Sequence, residues 1–188
     1  SVKVFSEKLG MPFKDCGNLK TENIIEVAEK FMQIMKTPTS KMPSNLLKEE
    51  IEKFILNHNT CALATGIGEF VRCTPIEYQY YEDNLYIITE GGMKFKGILQ
   101  NQTVSIGIAD SYENMDSVKG LQISGVAKIV PLFSEEYFEV FKLKGIELNA
   151  LKKLPVNLYI IKVTPQKFEF LNADFKKNNF DSKQIIVC

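Results

Sequence analysis

Histidine is nearly absent from this chain: His58 is the one imidazole in 188 residues. A catalytic triad or a multi-histidine metal site would need unusual partners, and its place near the end of a predicted helix reads as a surface or capping residue. Cysteine is sparse as well. Cys16, Cys61, Cys73 and Cys188 are scattered with no CxxC pair, which argues against a zinc site and a disulfide framework and for a reducing compartment. No metal site is expected. A charge excess of either sign is also missing, with 23 Lys+Arg against 23 Asp+Glu and a pI near 6.6. No global field therefore steers the chain to nucleic acid or an anionic membrane, and any anion site must be local. No apolar run approaches the roughly 20 residues of a membrane span, and the opening SVKVFSEKLG lacks the basic-then-apolar pattern of a signal peptide. The expectation is a cytoplasmic protein with neither membrane nor nucleic acid as partner.

What is present is an ordinary globular mixture, 45% hydrophobic and 24% charged, enough for one domain with added elements. Its most informative stretch is LYIITEGGMKFKGILQN, Leu85 to Asn101. Leu85 to Thr89 has the composition of a short strand, Glu90-Gly91-Gly92 breaks it, and Lys94 to Leu99 has the spacing of a short helix. Two adjacent glycines leave backbone N–H groups unobstructed at such a turn. With Met93, Lys94 and Lys96 at the helix start, the stretch can cradle a phosphate. An ordinary turn followed by solvated lysines is the competing reading.

Before this stretch, Thr21 can cap a helix to about Lys36 whose stripe is Ile24, Val27, Ala28, Phe31, Ile34 and Met35. Thr37 to Pro43 reads as a linker, so the chain divides into an arm and helix, 1–43, and a main domain, 44–188. Ser44 can cap a second helix, Asn45 to about Leu56, with Leu47, Ile51, Phe54 and Ile55 facing inward. From Thr60 the period becomes two. CALAT, Glu69 to Tyr81, Leu85 to Thr89, Thr103 to Asp110, Gly120 to Val130, Val156 to Val163 and Lys167 to Leu171 read as strands, with Ile185 to Val187 as an added edge. Thr164-Pro165-Gln166 is expected to separate two of them. A third helix, capped by Ser134, runs to about Leu143 with Tyr137, Phe138 and Phe141 as its packing face.

About six to seven strands in hairpin order, with helices inserted rather than alternating, predict an α+β fold that is mostly β: an antiparallel split barrel with peripheral helices. On the long second strand Phe70, Arg72, Thr74, Ile76, Tyr78 and Tyr80 share one face. A guanidinium there needs an acid such as Glu77 or Glu90, a carbonyl cluster, or a bound anion. Both the ion pair and the anion remain open at this point. Tyr78, Tyr80, Phe95 and Phe138 are candidates for the core or for an aromatic cover.

The order helix, CALAT, Gly-rich turn, VRCTPIEY, acidic turn, LYIIT, GGMKFKGILQN, TVSIGI and LQISGVAKIV resembles the FMN-binding split-barrel superfamily. That group includes pyridoxamine 5'-phosphate oxidase, small FMN-binding proteins and nitroimidazole-resistance-type flavoproteins. The resemblance spans about Leu46 to Leu171. It implies FMN as cofactor, with its phosphate on Arg72 and Lys94 beside Gly91, Gly92 and Met93. Cys73, Thr74, Pro75, Ile76, Ile87, Ile88 and Thr89 would frame the ring. Gln122 would face either the ring or solvent. GGMK is similar to the small FMN-binding proteins, which implies a homodimer with flavin at the subunit interface.

Departures from the oxidases are equally specific. Met93-Lys94 stands where they have Arg-Lys, Glu77 stands where a basic residue is expected, and neither arginine nor histidine follows Arg72. A typical pyridoxamine phosphate oxidase is therefore not expected. The resemblance implies an oxidoreductase passing hydride or electrons through FMN between small molecules, a flavin, quinone or nitro compound serving as acceptor. No catalytic residue is assigned. A protein that only binds or carries flavin, a haem binder and a deazaflavin protein are the alternatives, haem being disfavoured by the single imidazole. Partner docking by the Thr21 to Lys36 helix competes with core or dimer packing.

Overall fold

The computed structural model describes residues 40–147, 151 and 155–188. The helix predicted at Thr21 to Lys36 lies outside them. The elements in order are α1 (Ser44–Leu56), β1 (Thr60–Ile67), β2 (Phe70–Glu77), β3 (Gln79–Tyr81), β4 (Asn84–Thr89), α2 (Lys94–Ile98) and β5 (Thr103–Ala109). They continue with β6 (Lys119–Ile129), α3 (Glu135–Leu143), β7 (Tyr159–Asn172), a 3-10 segment (Ala173–Asn178) and β8 (Lys183–Val187). The strands form one antiparallel sheet in the order β2-β1-β5-β6-β7-β4-β3, with β8 on the second half of β7. This is the expected α+β, mostly β architecture, a split barrel with helices at its periphery.

The two ends of that order are consecutive in sequence, which is how the sheet curls. Glu69 to Tyr81 was expected as one strand, but the chain changes partners at Tyr78: β2 pairs β1, and β3 pairs β4. Tyr78 is held at the switch by its N–H on the Asn59 carbonyl (2.9 Å) and its hydroxyl on the Ile55 carbonyl (2.6 Å). Both bonds run to the end of α1. The buried phenol thus anchors the helix and the seam together, and burial pushes its pKa up.

Alternation decides which side chains fill the barrel. Leu63, Leu85, Ile87, Ile106, Ile123, Ile161 and Val163 are fully buried on the inner face, and Leu47, Ile51, Phe54 and Ile55 of α1 close over it. Ser44 is the first helical residue rather than the cap; Pro43 takes the cap position with no side-chain bond. Proline suits that end because its missing N–H is not needed there. The chain just before α1 is strapped to β8: the Ser40 carbonyl accepts from Asp181 N–H (3.0 Å) and from Gln184 Nε2 (3.1 Å).

A second cluster lies outside the barrel, where α3 covers β4 and the start of β7. Ser134 caps this helix as expected, its hydroxyl accepting from the Tyr137 N–H at 3.2 Å. Tyr137, Val140 and Phe141 pack on Tyr86 and Ile160, while Phe138 is only half-buried. Tyr86 and Lys162 both donate to Glu136, at 2.9 and 2.8 Å, and the Lys162 bond foremost holds that carboxyl below its usual range.

The break expected at Thr164-Pro165-Gln166 does not occur; β7 runs straight through it. Residues 159–163 pair β4 and 167–171 pair β8, so proline's absent N–H falls in the gap between two partners. On the other edge β6 shifts register between Ser124 and Gly125. A Cβ on Gly125 would lie 2.7 Å from the Thr164 carbonyl oxygen, a contact that only glycine avoids. Gly125→Ala is therefore expected to lower unfolding stability by about 1–3 kcal/mol in chemical denaturation, whereas Gly120→Ala, whose added carbon meets nothing nearer than 3.8 Å, changes it little.

Candidate anion and cofactor groove

The turn after β4 has the backbone that the sequence required. Gly91 and Gly92 have φ of 107° and 93°, the left-handed region that side chains disfavour. Gly91 N–H is taken by the Thr89 hydroxyl at 3.2 Å, and Phe95 N–H by the Gly92 carbonyl at 3.1 Å. Gly92 and Met93 N–H bond to no described residue. The cradle is consequently narrower than the sequence implies, since Gly91 N–H is already engaged within the turn.

Helix α2 then crosses the barrel end and lies on β1 and β2. Gly97 makes this approach possible: a Cβ there would sit 2.9 Å from Thr65 Cβ and 3.1 Å from Gly66 N. Ile98 is sealed beneath, Phe95 meets Tyr159 edge-on at 5.5 Å, and Lys96 Nζ lies 4.7 Å from the centre of the Phe70 ring. Asn101 Nδ2 donates to the Gly66 carbonyl at 2.9 Å and ties the far end of α2 to the β1 turn.

This docking brings Lys94 towards Arg72, which the β2–β3–β4 order alone would not have done. Lys94 is 9% exposed, low for an ammonium, and its Nζ donates to the Gly91 carbonyl. Burial first, and the Arg72 guanidinium second, push its pKa below the ordinary lysine value. Arg72 is the chain's single arginine. It pairs in register with Thr65 of β1 on the inner face. The expected buried guanidinium is instead exposed, because β2 is the last strand of the sheet and its inner face opens outward at this end. Neither Glu77 nor Glu90 pairs with it: Glu77 is bound by Lys144, and no described carboxylate forms an ion pair with Arg72.

Other predicted residues divide between the two faces. Thr74 and Ile76 share the Arg72 face, half-buried, and the Thr74 hydroxyl is buried without a partner. Cys73 and Pro75 are exposed on the outer face, opposite Ala64 and Ala62. Gln122 is exposed on that outer face too, opposite Gly107 and Glu169, so alternation turns it away from the barrel interior. Ile87 is 0% exposed in the core, which leaves its backbone as its only reachable part. Ile88 faces the α3 side and Thr89 is buried. β3 covers β4 only as far as Tyr86, so the backbone edge at residues 87–89 faces β2 without a pairing strand. That open edge is the split in the barrel.

Thr65 was not foreseen. It is 3% exposed, its hydroxyl has no partner, and it lies under Gly97 directly opposite Arg72. A glycine inside a short helix was the available sign of such close contact. Tyr78, Tyr80 and Phe95 pack in or against the main core, and Phe138 against the second cluster, which assigns them to packing. His58 stands at the other end of β1, with Nδ1 2.7 Å from the Phe54 carbonyl and Nε2 2.8 Å from Asp110 Oδ1.

An anion at this end of the barrel would meet the Arg72 and Lys94 cations and free amides of the glycine turn, and no described carboxylate forms an ion pair with either cation. The class so defined is an antiparallel split barrel with peripheral helices. No protein-family model matches the chain, and no curated protein matches its sequence. Solved structures do share its fold. A FAD-binding protein of Mesorhizobium loti superposes with a TM-score of 0.52 at 14% identity, over 64% of this chain and 89% of its own. A candidate pyridoxamine 5'-phosphate oxidase of Listeria innocua gives 0.53 at 19%, over 67% and 98%. The haem storage protein HutZ of Vibrio cholerae gives 0.54 at 19%, over 64% and 90%. The chain therefore has the split-barrel fold of pyridoxamine 5'-phosphate oxidase-like proteins.

Two outcomes follow from the geometry. Arg72→Met should move the Lys94 titration upward towards the ordinary lysine value, by removing the second of its two causes; side-chain NMR of Lys94 Cε reads it. Gly97→Ala should lift α2 from Thr65 and destabilise the fold by about 1–3 kcal/mol, measured by thermal unfolding.

Proposed function

We propose that the chain binds FMN, with the phosphate held at the barrel end by Arg72, Lys94 and the Gly92 and Met93 amides. The single observation that carries this reading is the buried Lys94 side chain, whose ammonium is opposed by burial and then by the Arg72 guanidinium, with no described carboxylate in an ion pair with either. Like charges brought together in partial burial are costly unless a counter-ion completes them. A phosphate does so: Arg72 offers a planar fork, and Lys94 a point charge. The positive-φ glycines fit the same group, since their backbone bends the chain back from β4 in a conformation that side chains disfavour and leaves no Cβ over the amides.

The open backbone edge at Ile87, Ile88 and Thr89 would hydrogen-bond the polar rim of the ring. The outer sheet face beside it carries small side chains, Ala62, Ala64, Ser105 and Gly107, and the prominent Val71, which is 77% exposed. A second copy of the chain on this face would cover the ring, with Cys73, Pro75 and Gln122 at the contact, and we include that homodimer in the proposal. FMN supplies hydride or single-electron transfer when bound. The chain's own residues anchor, orient and exclude water; with no general acid or base in the groove, protons would come from substrate or solvent. An oxidoreductase acting on small-molecule donors and acceptors and a non-catalytic carrier use the same residues. The fold relationship to flavin- and haem-binding proteins supports a flavin or haem ligand. Flavin is favoured because both nitrogens of His58 are engaged, away from the groove.

The absorbance spectrum of purified protein tests the cofactor. A flavin spectrum, with FMN released on denaturation, is expected; a Soret band, or colourless protein that does not quench added FMN, would overturn the reading. The sign of the pH response follows from Lys94. Its lowered pKa makes the ammonium a cost to the free protein that is relieved as pH rises through that value. A bound phosphate would raise the pKa again. FMN affinity should thus begin to fall below the pH at which an ordinary lysine titrates, and Lys94→Arg should remove that early fall in a fluorescence titration.

A further inference from the structure

Away from the seam, a cavity of about 450 Å³ opens between α1, the β3–β4 turn, the centre of β7 and the end of the chain past β8. Such a volume suits a small organic ligand rather than a single ion. Its floor is apolar: Ile51 is 4% exposed, and Phe168 and Ile186 pack against the main core. Its rim is acidic. Glu52 projects from α1 and Asp83 from the turn, and neither forms an ion pair with a described residue. Lys48 is the one cation in the lining, so the two acids leave a net negative charge.

Tyr80 reports the same field from inside. Its hydroxyl donates to Asp83 Oδ1 at 3.1 Å, and burial first, then Asp83, with Glu52 and Cys188 adding, push the phenol's pKa upward. A second anion would be repelled here, and a neutral ligand would leave the negative charge of both carboxylates without a counter-ion. An ammonium can meet them while its apolar body covers Phe168 and Ile186.

We propose that this cavity is a binding site for a small primary amine carried on an aromatic or branched aliphatic body. It uses none of the residues that hold the phosphate in the reading above and stands independently of it. The ammonium would lie against Asp83 and Glu52, and the apolar part on the floor.

The chain contains no tryptophan, so the fluorescence of an indole probe can be read without background from the protein. The probes are tryptamine, neutral 3-methylindole and anionic indole-3-acetate, which share one ring and differ in charge. Tryptamine should saturate the full-length protein and bind at least about tenfold more tightly than either analogue. The Asp83→Asn, Glu52→Gln double variant should lose that preference while still taking up 3-methylindole as before. Asparagine tolerates the positive φ of 59° at position 83, so the turn is kept. The single variants, with thermal unfolding curves matching the wild type, should each lose part of the preference. Absence of saturable tryptamine binding, equal affinity for the three probes, or a preference that survives in the double variant would overturn the proposal.

Discussion

A lysine ammonium kept mostly out of water beside a guanidinium is the constraint around which this barrel end is built. Burial and like charge both oppose it, and nothing among the described side chains neutralises it. The surrounding geometry holds it there nonetheless. Gly97 lets α2 sit directly on Thr65, Asn101 fixes the far end of the helix, and the two left-handed glycines bend the chain back from β4. Each device would be superfluous in an ordinary solvated turn. Together they maintain an unfavourable pair of charges in a defined place, which is how a protein prepares a site for an anion.

The seam at Tyr78 makes that arrangement possible. By passing from β1 to β4 at one buried tyrosine, the chain brings the first and last strands of the sheet side by side and leaves the edge of β4 beyond Tyr86 open. The opening lies on the β2 side, where Ile88 lines a small cleft with Glu77 and Tyr78. A fully closed barrel would consume those backbone groups in pairing; a flat sheet would carry Arg72 far from the turn after β4. In the proposed reading, the split lets a bound anion and a row of free peptide groups share one groove.

Much of the fold was legible because the determinants are local. Period-two patterns marked the strands, Ser134 marked the start of α3, and Leu47, Ile51, Phe54 and Ile55 defined the buried stripe of α1. Most misplacements came from partners distant in sequence; the cap of α1, expected at Ser44 and found at Pro43, is the local exception. Nothing around Tyr78 signals a change of neighbour, since its alternation continues unbroken into β3. Pro165 reads as a breaker until Gly125 of β6 and the gap between β4 and β8 are known. Of the site, the glycines and lysine were legible from the strand–turn–helix pattern and Arg72 from its oddity on an apolar face. Its exposure was not, because edge position depends on the whole sheet. Thr65 carries no motif, and its role emerges only when α2 lands on it. Ile87 and Ile88, neighbours in sequence, point to opposite sides, so only their backbone can serve one ligand.

The central claim is that Arg72 and Lys94 act on one phosphate. A double-mutant cycle with Arg72→Met and Lys94→Met, measuring affinity for FMN and for riboflavin in parallel, tests it most directly. The account predicts that the wild type prefers FMN, that each substitution erodes this preference, and that the two effects are non-additive by about 0.5 kcal/mol or more, with riboflavin affinity little changed. Equal wild-type affinity for the two flavins, or strictly additive losses of the same size for both, would contradict it.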